Sequence, residues 1–582
     1  MITYQVSLAS VSLQTLHVSM SIPACGETTT LTLPSWIPGS YKIRDFAKNI
    51  GEFTALSQDN TPLTWQKLDK QTWQINTEGK ACTVYYTVVA NDYSVRGAFI
   101  SDEYAFFNGT STFLQVKDQP DMPYSMQIDE NSAPMGWETF SSMPEVCADY
   151  YEFIDHPVYW GKGQVKSFTV KGVDITLLFS GTHPLDIDAI CQDLAPICAH
   201  HLTLFGAPYP IENYLFITLL ADTGYGGLEH RHSTVLMYPR FDLPMKGENR
   251  SISDNYIDFL SLCSHEFFHT WHVKRLRPSV MLQPDLSREV YTPQLWIYEG
   301  FTSFYDDLAV ARAGKMSPEH YCTVLGRHIT RLLHTPGRHK QSVAASSFEA
   351  WTRFYQQDAH SNNHIVSYYT KGGIIALGLD IILRVRSDNK VSMDILMQTL
   401  WNMAGRSETG SQDDIILNAC DSLNVEVRDY LDNVVEGTED VDLDSLLPKI
   451  GLKLNLRPRS NTADKGGVNS EQHPKYDFGV TLAENTGMGC KVTQLQENSA
   501  ADHAGLQVGD IVVAVDGWVA NETLWRRLLT QSEAESLSLS VARQGRLINL
   551  HMPVQPSKHR VAFLTIENRE RYLSWLGRDE AE

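Results

Sequence analysis

A multidomain protein of the α+β class is predicted, with a β domain first, a mainly helical domain next and a small β-rich module last. Three observations lead there. The chain has 582 residues, more than one hydrophobic core organises, which sets an expectation of three or four domains. The apolar period changes from two to about 3.6 near residue 180. The composition then turns acidic over 436–444 and polar, rich in Gly, Asn, Ser and Lys, over 457–475, before short strands return.

Residues 1–175 read as a β-sandwich-like domain. Residues 6–20 alternate apolar with polar, and 28–33 and 82–90 are β-branched or aromatic runs bounded by Pro, Gly, Asn and Asp. Residues 34–41 form a turn-rich loop carrying Trp36 and Tyr41, suited to packing or to lining a cleft. Residues 176–455 read as the helical domain. Apolar side chains recur at helical spacing over 186–205, 214–221 is a buried strand, and 256–273 and 293–313 are apolar helices. Ser317 and Pro318 supply an N-cap and a first-turn proline to a helix ending near Leu333. Further helices are expected over 367–386, 393–403 and 413–423. Residues 456–475 read as a linker, 476–560 as the small module punctuated by Gly505, Gly509 and Gly517, and 561–582 as a C-terminal tail.

The formal charge is −21, from 69 acidic and 48 basic side chains, a surface that repels phosphate backbones, so no nucleic-acid partner is expected. No run of about 18 apolar residues occurs, so no membrane span is expected. The first residues lack a basic segment and enter strand-like alternation at once, which argues against a signal peptide. Nine scattered cysteines fit a reducing cytoplasm.

The most informative string is His265-Glu266-Phe267-Phe268-His269. Histidines at i and i+4 lie one turn apart on one helix face and can grip one cation. The flanking Ile257, Phe259, Leu260, Leu262, Cys263 and Trp271 make the helix too apolar to be exposed, so its polar groups need partners. Catalytic zinc takes three protein ligands and leaves a position for water. The best third ligand is Glu299, 30 residues after His269 in a markedly apolar segment, where an unpaired carboxylate would be costly. One Zn2+ per chain is the expected cofactor, inferred from ligand type. Glu266 then serves as general base toward metal-bound water. Asp306, seven residues after Glu299, is either an orienting partner for a ligand imidazole or a solvated helix residue beside Asp307.

Two weaker strings carry chemistry. Gly226-Gly227-Leu228-Glu229 follows the buried strand 214–221: glycines admit a ligand close to the backbone, and a carboxylate beside them can pair with an ammonium group. A tyrosine of Tyr368-Tyr369, opening a long apolar helix, can donate to an oxyanion.

Taken together, H-E-x-x-H, W-x-x-E-G-F, the preceding G-G-L-E-H and the following Y-x-K-G resemble the zinc aminopeptidases of the gluzincin clan. With Trp36 to Tyr41, the block His269-Thr270-Trp271 to Lys274-Arg275 and Pro278, and a PDZ-like C-terminal module, the chain resembles the glycyl aminopeptidase family over nearly its whole length. The resemblance implies a thermolysin-like catalytic domain and zinc on His265, His269 and Glu299. It implies Glu266 as base, Glu229 as anchor for the substrate α-amino group and Tyr369 as transition-state donor, with a preference for N-terminal Gly or Ala. The larger relatives end their G-x-M-E-N motif in Asn, where this chain has His230 and no Met. Phe478-Gly479-Val480 resembles the carboxylate-binding loop of PDZ domains, where an edge strand takes an extended peptide. The groove is expected either to dock a peptide tail or to be covered by the chain's own tail. Peptide substrates are the expected partners. The alternatives to an aminopeptidase are a zinc endopeptidase and a non-catalytic PDZ-type scaffold.

Overall fold

The structure is a computed structural model. It describes residues 1–579 except 25, 118, 120, 121, 249–251, 462, 472, 473, 486 and 533, so three linker positions and the last three tail positions lie outside the described residues. The chain forms two compact units, Met1–Tyr291 with Met397–Gln412, and Thr292–Leu396 with Asp413–Glu582. The expected catalytic span 176–455 therefore contributes to both.

In the first unit, the N-terminal alternation becomes a five-stranded sheet in the order Tyr124–Ile128, Ile2–Ser10, Thr15–Ile22, Cys82–Val89, Ile50–Ser57. Leu16, Val18, Met20 and Ile22 point inward while His17 and Ser21 face out, the period-two pattern of a half-buried strand. Tyr4 anchors an aromatic core, with ring centroids 4.9 Å from Phe113 and 5.1 Å from Phe153. A second sheet runs Gly163–Val170, Val173–Ser180, Asn213–Ala221, Ser233–Pro239, Gly226–Glu229. Its hairpin opens at Gly163, so the boundary expected at 175 falls inside a strand; the sequence break at 180 marks the approach to the long helix Ile187–Phe205, not the first strand of the new sheet.

Val173–Ser180 and Asn213–Ala221 pair in parallel and are joined through the helix Ile187–Phe205. Asn213–Ala221 is buried along all but its first residue, as expected of a central strand covered on both faces. Gly226–Glu229 closes the sheet as an antiparallel edge strand. The helix Asp254–Phe268 starts at Ser253, whose hydroxyl accepts from the Tyr256 N–H at 3.1 Å. It buries Ile257, Phe259, Leu260, Phe267 and Phe268 against the helix Ile187–Phe205 and the sheet.

The second unit is helical over residues 292–396 and carries the β-rich small module in its C-terminal part. The helix expected over 293–313 is interrupted at Glu299, giving Leu295–Tyr298 and Gly300–Arg312. Gly300 crosses Gly372 of the helix Tyr368–Arg386 so closely that a Cβ on Gly300 would stand 2.6 Å from the Gly372 Cα. By length and composition Ser361–Arg386 holds an 18-residue window apolar enough to cross a membrane, and 78% of that window is buried. The small module has its own core, with Phe478, Val492, Val512, Leu539 and Met552 inside its sheet. The expected tail is not a tail. Val561–Ile566 pairs antiparallel with Leu452–Arg457, and Arg569–Leu576 is a helix burying Tyr572, Leu573, Trp575 and Leu576. The Trp575 indole N–H donates to Asp380 at 2.6 Å. A sequence read after a linker gives no sign that the chain returns to pair with a strand from before it.

Candidate active site

His265 and His269 project from the C-terminal end of the helix Asp254–Phe268, ring centroids 4.7 Å apart and planes at 85°. His269 is 1% exposed. Its Nδ1 donates to the backbone carbonyl of His272 at 2.7 Å, where the chain turns back at the helix end. That bond fixes the tautomer and leaves Nε2 with its lone pair, the state a metal-ligating imidazole takes. The donor type and its orientation therefore fit a metal ion.

Glu266, one residue after His265, faces the edge strand Gly226–Glu229. Its carboxylate Oε2 lies 3.3 Å from the Thr234 hydroxyl, which also lies 3.0 Å from Leu228 O. Gly227 packs against it so tightly that a Cβ there would be 2.0 Å from Glu266 Oε1. The Gly-Gly pair, which reads as a turn in sequence, is thus a strand whose missing side chain makes room for a carboxylate. Glu229, Glu266 and His269 are all buried and each offers a donor atom within 4.8 Å of the others.

Glu229 is held from the N-terminal domain side by the loop around Gly39. A Cβ on Gly39 would stand 2.5 Å from Glu229 Oε1, and its φ of +91° is one that side-chain-bearing residues rarely adopt. The next residue, His230, gives Nδ1 to Asp155 Oδ1 at 3.0 Å, and Lys274 Nζ reaches the same oxygen at 2.8 Å. Burial pushes the Asp155 carboxyl up, but the Lys274 ammonium and the His230 bond outweigh it and hold it well below the usual carboxylate range. Arg231 forks onto Glu408 at 2.8 and 2.7 Å. A cavity of about 350 Å³ opens beside these groups, walled by Trp36, Gly39, Glu229, Lys274, Arg277 and Met281.

In the second unit, Glu299 is 2% exposed at the break between its two helices. The Tyr369 hydroxyl lies 3.3 Å from that of Tyr355. Burial, then the neighbouring Glu299 charge, push the Tyr369 hydroxyl well above its ordinary pKa, so it stays a proton donor at any working pH. Tyr368 beside it is fully buried. Asp306 is half-buried and accepts from the Asp307 N–H at 2.6 Å, while Asp307 pairs with His328 at 2.9 Å. In the small module Phe478 belongs to the core, its ring 5.3 Å from Trp525. The Gly479 N–H donates to Asp477 Oδ1 at 2.9 Å, so one amide expected to receive a peptide carboxylate is already engaged, and Val480 opens an edge strand.

Sequence reasoning missed Thr234, Tyr355, Asp155 and the His272 carbonyl. Their roles depend on contacts between distant or backbone atoms that leave no residue pattern. Gly39 was visible as part of a turn-rich loop, without its target.

Residues 3–162 match the model of the Peptidase M61 N-terminal domain, residues 258–375 that of M61 glycyl aminopeptidase, and residues 491–543 that of a PDZ domain. The first match ends one residue before the strand Gly163–Val170. Among solved structures, an aminopeptidase N family protein from Idiomarina loihiensis is 34% identical, with 99% of this chain and all of that one covered at a TM-score of 0.94. The M1 zinc metallopeptidase from Deinococcus radiodurans and a point mutant of it are each 12% identical, covering 75% of this chain and 94% of theirs, at TM-scores of 0.46 and 0.47. No curated protein matches the chain.

Proposed function

The chain belongs to the M61 glycyl aminopeptidase family, a family of peptidases, and from that premise we propose that it is a zinc-dependent aminopeptidase removing a small first residue, Gly or Ala, from peptides. His265, His269 and Glu299 hold one zinc ion, a set whose donors are of the type that can share one. Bound there, zinc supplies Lewis acidity to the scissile carbonyl and to water. Glu266 takes a proton from the attacking water and returns it to the leaving amine. Tyr369 donates to the developing oxyanion, and Asp306 steadies a ligand imidazole.

One observation carries the amino-terminal specificity. Glu229, Glu266 and His269 share a space 4.8 Å across. A substrate ammonium bound by Glu229 then lies within one residue of the bond that Glu266 serves, which favours a free amino end over a blocked or extended one. The test compares one peptide with a free and with an acetylated amino end. Cleavage of the free form alone is expected; equal cleavage of both identifies an endopeptidase instead.

A further inference from the structure

Arg96 lies just before the strand Ala98–Ile100, and its half-buried guanidinium reaches the edge strand Gly226–Glu229. Nε donates to Ser40 Oγ at 3.0 Å and Nη2 faces Gly227 O at 3.4 Å. Both Nη atoms stand 4.0 Å from where a Cβ on Gly226 would be. These acceptors are neutral, and among the described residues no carboxylate forms an ion pair with Arg96. A guanidinium oriented by two neutral acceptors, its charge uncompensated, beside a strand edge able to carry a peptide, is set up to receive a carboxylate.

The spacing selects which carboxylate. Arg96 stands beside Gly226 and Gly227, two to three residues along the strand from Glu229. The same loop fixes both groups: Gly39 lies against the Glu229 carboxylate, and the next residue, Ser40, holds Arg96. A peptide laid along this edge advances about 3.3–3.6 Å per residue, so an ammonium on Glu229 and a carboxylate on Arg96 belong to the two ends of a chain two or three residues long.

We propose that Arg96 binds the C-terminal carboxylate of the substrate and makes the enzyme selective for di- and tripeptides with both ends free. This rests on the aminopeptidase reading above. The measurement is kcat/KM for Ala-Ala-Ala and for the same tripeptide as its C-terminal amide, with wild type, Arg96→Gln and Arg96→Lys, each checked for an unchanged melting temperature. Loss of a charge-assisted bond corresponds to about tenfold or more. Wild type is expected to favour the acid over the amide by that factor, through KM. The ratio falls to near one in Arg96→Gln and recovers in part in Arg96→Lys, which keeps charge but not the fork. Equal cleavage of acid and amide by wild type, or an equal loss on both in Arg96→Gln, overturns the assignment and leaves the aminopeptidase reading standing. No cleavage of either free-amine peptide by the wild-type enzyme overturns both.

Discussion

Replacing Gly227 with alanine probes the placement of Glu266, the proposed general base. The backbone at Gly227 is extended, so alanine meets no φ penalty there, unlike at Gly39 with its φ of +91°. The whole effect comes from one methyl group, which would stand 2.0 Å from Glu266 Oε1 and 2.3 Å from its carboxyl carbon. Ordinary van der Waals contact begins at 3.4 Å, so the carboxylate or the strand must withdraw by more than an ångström. Glu266 is 4% exposed, and Thr234, Glu229 and His269 occupy its other sides. A displacement of about 1 Å in a reacting group costs on the order of 10²-fold in rate. Gly227→Ala should therefore lose about 10²-fold in kcat on alanyl p-nitroanilide, with zinc content little changed, because the added methyl meets Glu266 and neither His265 nor His269. A kcat within threefold of wild type would refute the reasoning, since it would mean that Glu266 works equally well from a displaced position or does not work at all.

Other expectations can be checked together. Glu266→Gln should retain zinc, measured by elemental analysis, while kcat falls by about 10²–10⁴-fold, the range for loss of a general base. Tyr369→Phe should lower kcat by about 10²–10³-fold, measured with saturating substrate. Lys274→Met removes the ammonium from Asp155, whose side chain is 13% exposed, and should destabilise by roughly 3–5 kcal/mol in chemical denaturation. The pH sign follows from the direction of the Asp155 shift. Its folded carboxyl titrates below the unfolded value of about 3.9, so the unfolded state binds the proton first and the stabilisation is complete above that value. In wild type that stabilisation disappears as pH falls through the lower folded value, and the gap between wild type and Lys274→Met should narrow on acidification.

The helix that carries His265 and His269 was legible because its information is local. Two histidines four residues apart in an apolar run fix a face, a burial and a ligand geometry without any knowledge of the rest of the chain. The burial of Glu299 was legible for a related reason: it is an acidic residue inside a markedly apolar segment, where a carboxylate needs a partner. The break in its helix was not, since no proline or glycine precedes it. Gly227 shows the limit. Its sequence context says only that a side chain is missing, and the group that fills the gap lies 39 positions away. The C-terminal stretch failed in the same way, because strand pairing between Leu452–Arg457 and Val561–Ile566 depends on a partner outside any local window. The small module was read correctly as β-rich, yet Phe478 proved to be core and Gly479 to be bonded by Asp477, which only the fold decides.

The most direct test of the account is anomalous diffraction at the zinc edge from crystals of protein purified without added metal or chelator. One zinc per chain is expected, at about 2.0–2.1 Å from His265 and from Nε2 of His269 and about 2.0–2.2 Å from a Glu299 oxygen. A crystal without a stoichiometric zinc peak, or with the metal coordinated by other side chains while Glu299 points elsewhere, would contradict it.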